Sequence, residues 1–178
     1  GTDSDVVREW DRSTGQFVEG GFTLPQAKSN VSWLDANNLI VGTDFGDGSM
    51  TSSGYPRILK RWQRGTPLDS AQQVLAGEAN DVSLTPIAIT DKSRRWNFLV
   101  RAPSFYSNIY HLLSADGQRL IALDVPQSAS LQAVLNGQAI FLLNAAHGDL
   151  PQGALASLNL ADVEAGRKAA LQLVMNPT

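Results

Sequence analysis

Serine side chains are the first groups to test for chemistry, because a serine beside a histidine and a carboxylate can act as a nucleophile. A nucleophilic serine on a sharp strand-to-helix turn occupies the pattern G-x-S-x-G, and no serine here has glycines at those two positions. His111 lies in an apolar segment and His147 in a polar one, so we expect a packed strand residue and a loop residue. The serines tested against this pattern include Ser49, Ser52, Ser53 and Ser104. No catalytic residue is predicted.

The glycine-rich run from Gly42 to Arg57 is the second place where chemistry is conceivable. It lacks the Gly-Lys-Ser/Thr ending of a phosphate-binding loop and the alternating acidic residues of a calcium loop. Asp44 and Asp47 could serve a glycosidase only if their carboxyl groups stood about 5 to 9.5 Å apart across a cleft, and nothing in the spacing fixes that geometry. The run is therefore predicted to be a structural connection without a cofactor or metal.

Aromatic and amide residues suggest further sites, each with a structural alternative. Trp10, Trp33, Trp62 and Trp96 could form a lectin surface or an aromatic cage, but packing in the core is the favoured interpretation. Asn30 begins a glycosylation pattern inside a predicted inner strand, where a glycan would clash. Near the end of the glycine-rich run, Tyr55, Pro56 and Arg57 could face a neighbouring domain, with Arg57 bound to a carboxylate there.

Composition excludes several classes of function. With 14 basic and 17 acidic residues, the net charge is -3 and no cluster of basic residues offers a nucleic-acid surface. The absence of cysteine excludes disulfides and thiolate metal sites. No apolar run reaches the roughly 20 residues of a membrane span. We expect a soluble protein, periplasmic or cytoplasmic, without nucleic-acid or membrane partners.

Short segments rich in β-branched and aromatic residues alternate with turn residues along the whole chain, which predicts an all-β fold. Helix is expected only near Leu160 to Ala170, as a single turn with Asp162 as a possible cap. Evenly spaced strands of this kind are typical of sandwiches, barrels and propellers. Upstream of Ser29, two strands are predicted, Val6–Trp10 and Gln16–Val18, forming an outer hairpin.

An internal repeat separates these three folds. Ser32, Ser83 and Ser130 lie at the start of the innermost strands predicted for three blades, and they are 51 and 47 residues apart. That period matches a four-stranded propeller blade. The innermost strands are Ser29–Leu34, Val82–Thr85 and Ser130–Val134, and Pro86–Ile89 is predicted as a separate strand from Ser83–Thr85. The predicted fold is a partial β-propeller with about three antiparallel blades and an outer hairpin of another. The predicted boundaries are 1–28 for the half blade and 29–79, 80–127 and 128–178 for the blades.

Four strings in a fixed order carry a family resemblance over roughly residues 6 to 90. They read VVREWD, GGFTLPQAKSNVSWLD, LIVGTDFGDGSMTSSGYPRI and RGTPL. This block resembles the propeller domain of prolyl-oligopeptidase-like serine peptidases. Beyond residue 91 the resemblance is a pattern of strands and turns.

The resemblance implies a non-catalytic part of a hydrolase. In that family a propeller caps an α/β-hydrolase domain with a Ser, Asp and His triad, and admits short peptides to it. The implied partners are therefore that catalytic domain and short peptides. The fragment is also expected to associate with itself through bare blade faces. The alternative is a self-standing propeller-like scaffold that binds a protein or glycan.

Overall fold

The computed structural model describes residues 3–177, and the chain divides into two compact units, one ending at Pro86 and one beginning at Ile87. Almost all of the regular structure is antiparallel β-strand, as the sequence predicts. The strands of the first unit are β1 (Asp5–Arg8), β2 (Trp10–Asp11), β3 (Gln16–Phe17), β4 (Thr23–Ala27), β5 (Asn30–Asp35), β6 (Asn38–Gly42), β7 (Ile58–Gln63) and β8 (Gln72–Ala76).

The first four strands make one irregular hairpin. Strand β1 pairs with β4, and β2 pairs with β3. Between the two ladders, the Glu9 N–H donates to the Phe22 carbonyl at 2.9 Å, so the arms stay bonded where the regular pairing breaks. The outer hairpin is thus present, and its second arm is longer than predicted.

The prediction of only two strands upstream of Ser29 is wrong, because Thr23–Ala27 forms β4. Pro25 concealed this strand, since proline lacks the N–H that a central strand donates to its neighbour. Among the described residues β4 pairs only with β1. An edge position of this kind tolerates proline.

Strands β5, β6, β7 and β8 follow one another in space as well as in sequence, with a 3₁₀ turn at Leu68–Ser70 before the last. The middle strands carry the core, because Leu39, Val41 and Trp62 are almost fully buried. Phe22 and Leu24 of the hairpin arm pack against them. The hairpin and the sheet of the first unit therefore share one hydrophobic core.

An ion pair reinforces the contact between hairpin and sheet. Two guanidinium nitrogens of Arg64 bind the two carboxylate oxygens of Glu9, each at 2.8 Å, and the Glu9 side chain is only 11% accessible. The hydrogen bonds from Arg64 hold the pKa of Glu9 below its ordinary value of 4.5. A lowered pKa in the folded state means that this pair stabilises the fold at neutral pH and ceases to do so as acid protonates Glu9.

We expect Glu9→Gln to lower the free energy of unfolding by about 1–3 kcal/mol at pH 7, the usual loss for a charged hydrogen-bonded pair. The difference from the original protein should shrink as the pH falls below about 4.5. Urea unfolding at several pH values measures this. Glu19→Gln, at an exposed position of the same hairpin, is the matched control. An equal loss in both variants, or a loss that does not depend on pH, contradicts the prediction.

Two further four-stranded sheets complete the fold. Their strand orders are also sequential, from β9 to β12 and from β13 to β16. The strands are β9 (Ser83–Asp91), β10 (Arg94–Ser104), β11 (Ser107–Leu113), β12 (Leu120–Ala122), β13 (Ala129–Leu135), β14 (Gln138–Leu143), β15 (Leu155–Asn159) and β16 (Gln172–Met175).

The last two sheets pack face to face in the second unit. Tyr110 of one sheet meets Phe141 of the other edge-on, with ring centroids 5.2 Å apart. The Tyr110 hydroxyl donates to the Ala129 carbonyl and accepts from the Leu131 N–H, so the buried phenol also joins the sheets by hydrogen bonds. Burial raises the pKa of Tyr110. Stacked meanders of four strands are blades of the propeller type.

The repeat-based prediction of three separate sheets is confirmed. The strands predicted to begin them, Ser29–Leu34, Val82–Thr85 and Ser130–Val134, correspond to β5, β9 and β13, each at one edge of its own sheet. The structure corrects one detail, because Ser83–Thr85 and Pro86–Ile89, predicted as separate strands, form the single strand β9. Pro86 is accommodated there because β9 is an edge strand.

The predicted helix is real but shorter. It spans Leu160–Glu164, and its N-cap is Asn159, whose side-chain oxygen accepts from the Asp162 N–H at 3.0 Å. Asp162 was therefore the wrong cap; it lies in the first turn, where its carboxylate pairs with Arg167 instead. Within residues 3–177, no helix combines the length and apolar character needed to cross a membrane.

Candidate functional site

The serine and histidine residues singled out for nucleophilic chemistry take structural positions. Ser49 is buried, where its hydroxyl accepts from the Phe45 N–H at 2.8 Å and donates to the Gly46 carbonyl at 2.6 Å. The hydroxyl of Ser104 lies 2.6 Å from that of Ser107 across a hairpin turn. These hydroxyls shape turns of the chain.

The two histidines also differ in setting. His111 stands in the middle of β11, opposite Leu99, and burial lowers its pKa. Within the described chain, its Nδ1 atom has no hydrogen-bond partner. His147 is exposed and closes a small turn by exchanging main-chain bonds with Leu150. A neutral, half-buried strand histidine and a turn histidine match what the sequence predicted of their positions.

The acidic residues of the glycine-rich loop support its turn. Asp44 Oδ1 accepts from the Gly46 N–H at 2.9 Å, and Asp47 is exposed. Among residues 3–177, no three His, Cys, Asp or Glu side chains gather as metal ligands would. Gly46 and Gly48 have φ angles of 102° and 75°, a conformation that glycine adopts at little cost.

Arg57 ties this loop to the next connection of the same unit. Its Nε and Nη2 atoms donate to the Gly48 carbonyl, and its Nη1 donates to the Gly77 carbonyl at 3.0 Å. Arg57 thus binds two carbonyl groups of its own chain, and its pairing with a carboxylate of a neighbouring domain stays a prediction. A guanidinium suits this task because its fork of donors is planar and fixed.

Two more hydrogen bonds complete the connection between the two loops. Thr51 Oγ1 donates to the Val82 carbonyl at 3.2 Å, and the Ser52 N–H donates to the Ala79 carbonyl at 2.7 Å. Residues 43–57 and 77–82 therefore form one ordered surface, which we call the loop face of the first unit. Gly77 is required in it, because an added Cβ would lie 2.4 Å from Asp81 Oδ2.

Tyr55 is the ring that this loop face presents to solvent, partly buried by its neighbours. Its hydroxyl donates to Asp3 Oδ2 at 2.6 Å, and Lys28 Nζ lies 4.2 Å from the ring centroid and 3.6 Å from the same carboxylate oxygen. The hydrogen bond from Tyr55, followed by the charge of Lys28, lowers the pKa of Asp3, while Asp3 raises the pKa of Tyr55. The three side chains form a small polar cluster beside the loop face.

Two of the four tryptophans are buried, as the sequence predicted. Trp62 is buried against Phe22 and donates its indole N–H to the Thr66 carbonyl, and Trp96 is buried beneath the guanidinium of Arg94. The other two are exposed at the surface, Trp10 to 49% beside Phe17 and Trp33 to 37% beside Phe22. The tryptophans do not gather into a cage within either unit.

The Asn30 side chain is already engaged in the structure. Its amide donates to the Leu84 carbonyl at 2.9 Å. A glycan would replace one of the two hydrogens of this amide nitrogen, which lies against Leu84 and Thr85 of β9, and would have to fit between β5 and β9. The structure therefore supports the interpretation that the glycosylation pattern is accidental.

The second unit contains a cleft that the sequence analysis missed. It has a volume of about 290 Å³ and is lined by Phe105, Tyr106, Asn108, Ser128, Ser130 and Asn144. Phe105 and Tyr106 form the tip of the β10–β11 hairpin and are 85% and 89% exposed. Two adjacent aromatic residues at a turn, where polar residues are usual, were the signal that could have revealed it.

Comparisons with known proteins place this geometry in context. No protein-family model matches the chain. An uncharacterized peptidase of Sinorhizobium fredii is 34% identical over 152 residues, covering 80% of this chain and 20% of that protein. An uncharacterized peptidase of Rickettsia prowazekii is 24% identical over 202 residues, covering 100% of this chain and 27% of its own length.

A solved structure decides the fold comparison. A post-proline cleaving enzyme from Rickettsia typhi superposes on the whole chain with a TM-score of 0.85 and 22% identity, over 28% of the enzyme's length. The chain resembles a propeller segment of a prolyl-oligopeptidase-like peptidase. The resemblance inferred from the four strings is confirmed.

The chain spans between a fifth and somewhat more than a quarter of the length of the proteins that it matches. The glycine-rich loop belongs to one of the four strings that carry the resemblance, and Arg57 bonds it to the Gly77 carbonyl. Its residues therefore maintain a shaped surface.

Proposed function

We propose that this chain acts as a propeller sector of a prolyl-oligopeptidase-like serine peptidase and restricts access of peptides to an α/β-hydrolase domain. The observation that carries the proposal is the match of the whole chain to one segment of a post-proline cleaving enzyme. The 34% identity to a peptidase of Sinorhizobium fredii supports it independently.

A propeller sector would act by geometry. Stacked sheets with buried faces, such as the pair joined by Tyr110 and Phe141, are stiff and can hold connecting loops in fixed positions. A ring of such loops excludes folded proteins by size and keeps a bound peptide away from bulk water. In this proposal the chain supplies no nucleophile, general base or oxyanion donor.

We expect the purified chain alone to hydrolyse no proline-containing chromogenic peptide, because it lacks a G-x-S-x-G turn. The assay follows release of the chromophore after host peptidases have been removed, together with labelling by a serine-directed phosphonate. Activity that co-purifies with the chain and is abolished by the phosphonate contradicts this expectation.

The gating role is tested in a chimera. The matched segment of the Sinorhizobium fredii peptidase is replaced by this chain, and the unaltered peptidase serves as control. A chimera that unfolds cooperatively should cleave short peptides while sparing a long, unfolded protein substrate, and we expect the same preference of the control. A folded chimera that cleaves the long substrate as readily as the peptide overturns the gating role.

A further inference from the structure

The cleft of the second unit has lining groups of only three kinds. Phe105 and Tyr106 provide aromatic surface, Asn108 and Asn144 provide amides, and two serines provide hydroxyl groups. No charged side chain is among the lining residues. A ligand for this cleft is therefore uncharged where it is bound, which disfavours nucleic acids, anions and metal ions.

The turn that carries the aromatic rim is held by hydrogen bonds. The hydroxyl groups of Ser104 and Ser107 bond across the base of the turn at 2.6 Å, and the Tyr106 N–H donates to Ser104 Oγ at 3.2 Å. The two rings are thus carried by a bonded hairpin end. Rings that remain more than four-fifths exposed contribute little to folding, whereas aromatic rings are frequent anchors in binding.

The floor of the cleft is also ordered in advance. The Asn144 amide donates to the Ser128 carbonyl and to Ser130 Oγ, each at 2.8 Å. On the other side, the Asn108 N–H donates to the Gln127 carbonyl at 2.7 Å. The Asn144 bonds lie within the β13–β14 region, and the Asn108 bond joins β11 to the segment before β13. A ligand therefore meets a formed floor and orders few side chains there on binding.

These features suit one class of ligand. Aromatic-lined grooves bind proline-containing segments, because the proline ring packs on an aromatic face and the extended conformation is already preferred in the free peptide. Amide and hydroxyl groups beside the rings can hydrogen-bond the main chain of such a segment. A volume of 290 Å³ is at the lower end for ligand sites, which fits a few residues of a peptide.

We propose that the cleft bordered by Phe105 and Tyr106 binds a short, extended, proline-containing peptide segment. This inference rests on the proposed function, since it identifies where a propeller sector of a peptidase would hold its substrate before cleavage. Tyr106 is the principal contact, because its side chain is the more exposed of the two rings and also carries a hydroxyl group. The cleft adds binding and performs no chemical step.

The test is a titration of the ¹⁵N-labelled chain with two acetylated and amidated peptides, followed by two-dimensional amide NMR. One peptide contains two consecutive prolines between glycine and alanine residues, and the other has alanine in place of both. We expect shifts confined to the lining residues and their neighbours, and a dissociation constant at least about fivefold lower for the proline peptide. Tyr106→Ala should weaken binding about tenfold, as loss of an anchor ring does.

Two further variants serve as controls for Tyr106→Ala. Tyr106→Phe keeps the ring and should retain most of the affinity, whereas Leu135→Ala removes an exposed apolar side chain from the β13–β14 turn and should change the dissociation constant less than twofold. Equal binding of the two peptides, shifts centred away from the cleft, or unaltered affinity in Tyr106→Ala overturns the proposal. The titration needs no hydrolase domain, so the two experiments can fail independently. Absence of peptide binding would not contradict the gating role, and a chimera without size selectivity would not contradict peptide binding by the cleft.

Discussion

Phe141→Ala is expected to destabilise the second unit by about 3–5 kcal/mol, the usual loss for a buried phenylalanine. Phe141 is fully buried in β14 and meets Tyr110 of the stacked sheet edge-on. Its removal leaves a cavity at the plane where two sheets meet, and rigid sheets cannot collapse into it. Peptide-resolved hydrogen exchange in increasing urea would show the loss in residues 87–177.

Phe105→Ala is the control for this experiment because it makes the same chemical change at a ring that is 85% exposed. A surface position of this kind should alter the free energy of unfolding by less than about 0.5 kcal/mol. Similar losses in the two variants would show that Phe141 is not part of a shared core. A loss confined to the β13–β16 sheet would show that the two sheets unfold independently.

The division into sheets was accessible to sequence reasoning because it depends on local chemistry. The serines at 32, 83 and 130 mark strand starts that recur at blade spacing, and each of these strands begins a separate sheet. Turn residues also act locally, as the positive φ angle of Gly117 in the β11–β12 turn illustrates. Patterns of this kind can be recognised in the sequence without knowledge of contacts between distant residues.

Two prolines explain the two strands that were predicted wrongly, β4 and β9. Pro25 and Pro86 both interrupt a strand pattern, but each lies in a strand that, among the described residues, pairs with a neighbouring strand on one side only, a position that tolerates proline. Whether a strand is central or at an edge is a property of the assembled sheet. A single sequence does not contain that information, so β4 was overlooked and β9 was divided.

The functional surfaces were harder to predict because they depend on contacts far apart in sequence. Arg57 binds the carbonyl of Gly77, twenty residues away, and the cleft of the second unit joins a hairpin tip to Asn144. The glycine-rich loop attracted attention by its composition, whereas the cleft contains ordinary residue types. Its one signal in the sequence is the adjacent aromatic pair at a turn, and the structure adds that both rings are exposed.

The first unit presents apolar surface that we expect to drive self-association. Val6, Trp10 and Phe17 of the hairpin are 57%, 49% and 50% exposed, and within the described residues β1 pairs only with β4. Exposed apolar side chains next to an unpaired strand edge favour pairing with a second chain. Such pairing buries the side chains and also gives hydrogen-bond partners to the N–H and C=O groups of the edge strand. We therefore propose that two copies associate through this hairpin, with β1 adding a strand from its partner.

Light scattering during size-exclusion chromatography is expected to show dimers or larger species across the micromolar range. Val6→Lys introduces a charge on the edge strand, which natural sheets use against association, and should raise the dissociation constant at least about tenfold. Leu135→Lys, at an exposed turn of the second unit, should leave the association intact. A strictly monomeric protein with a cooperative thermal transition would contradict the proposal, because the hairpin would then be stable with its apolar side chains in water. Equal weakening by both lysine substitutions would place the contact outside the hairpin.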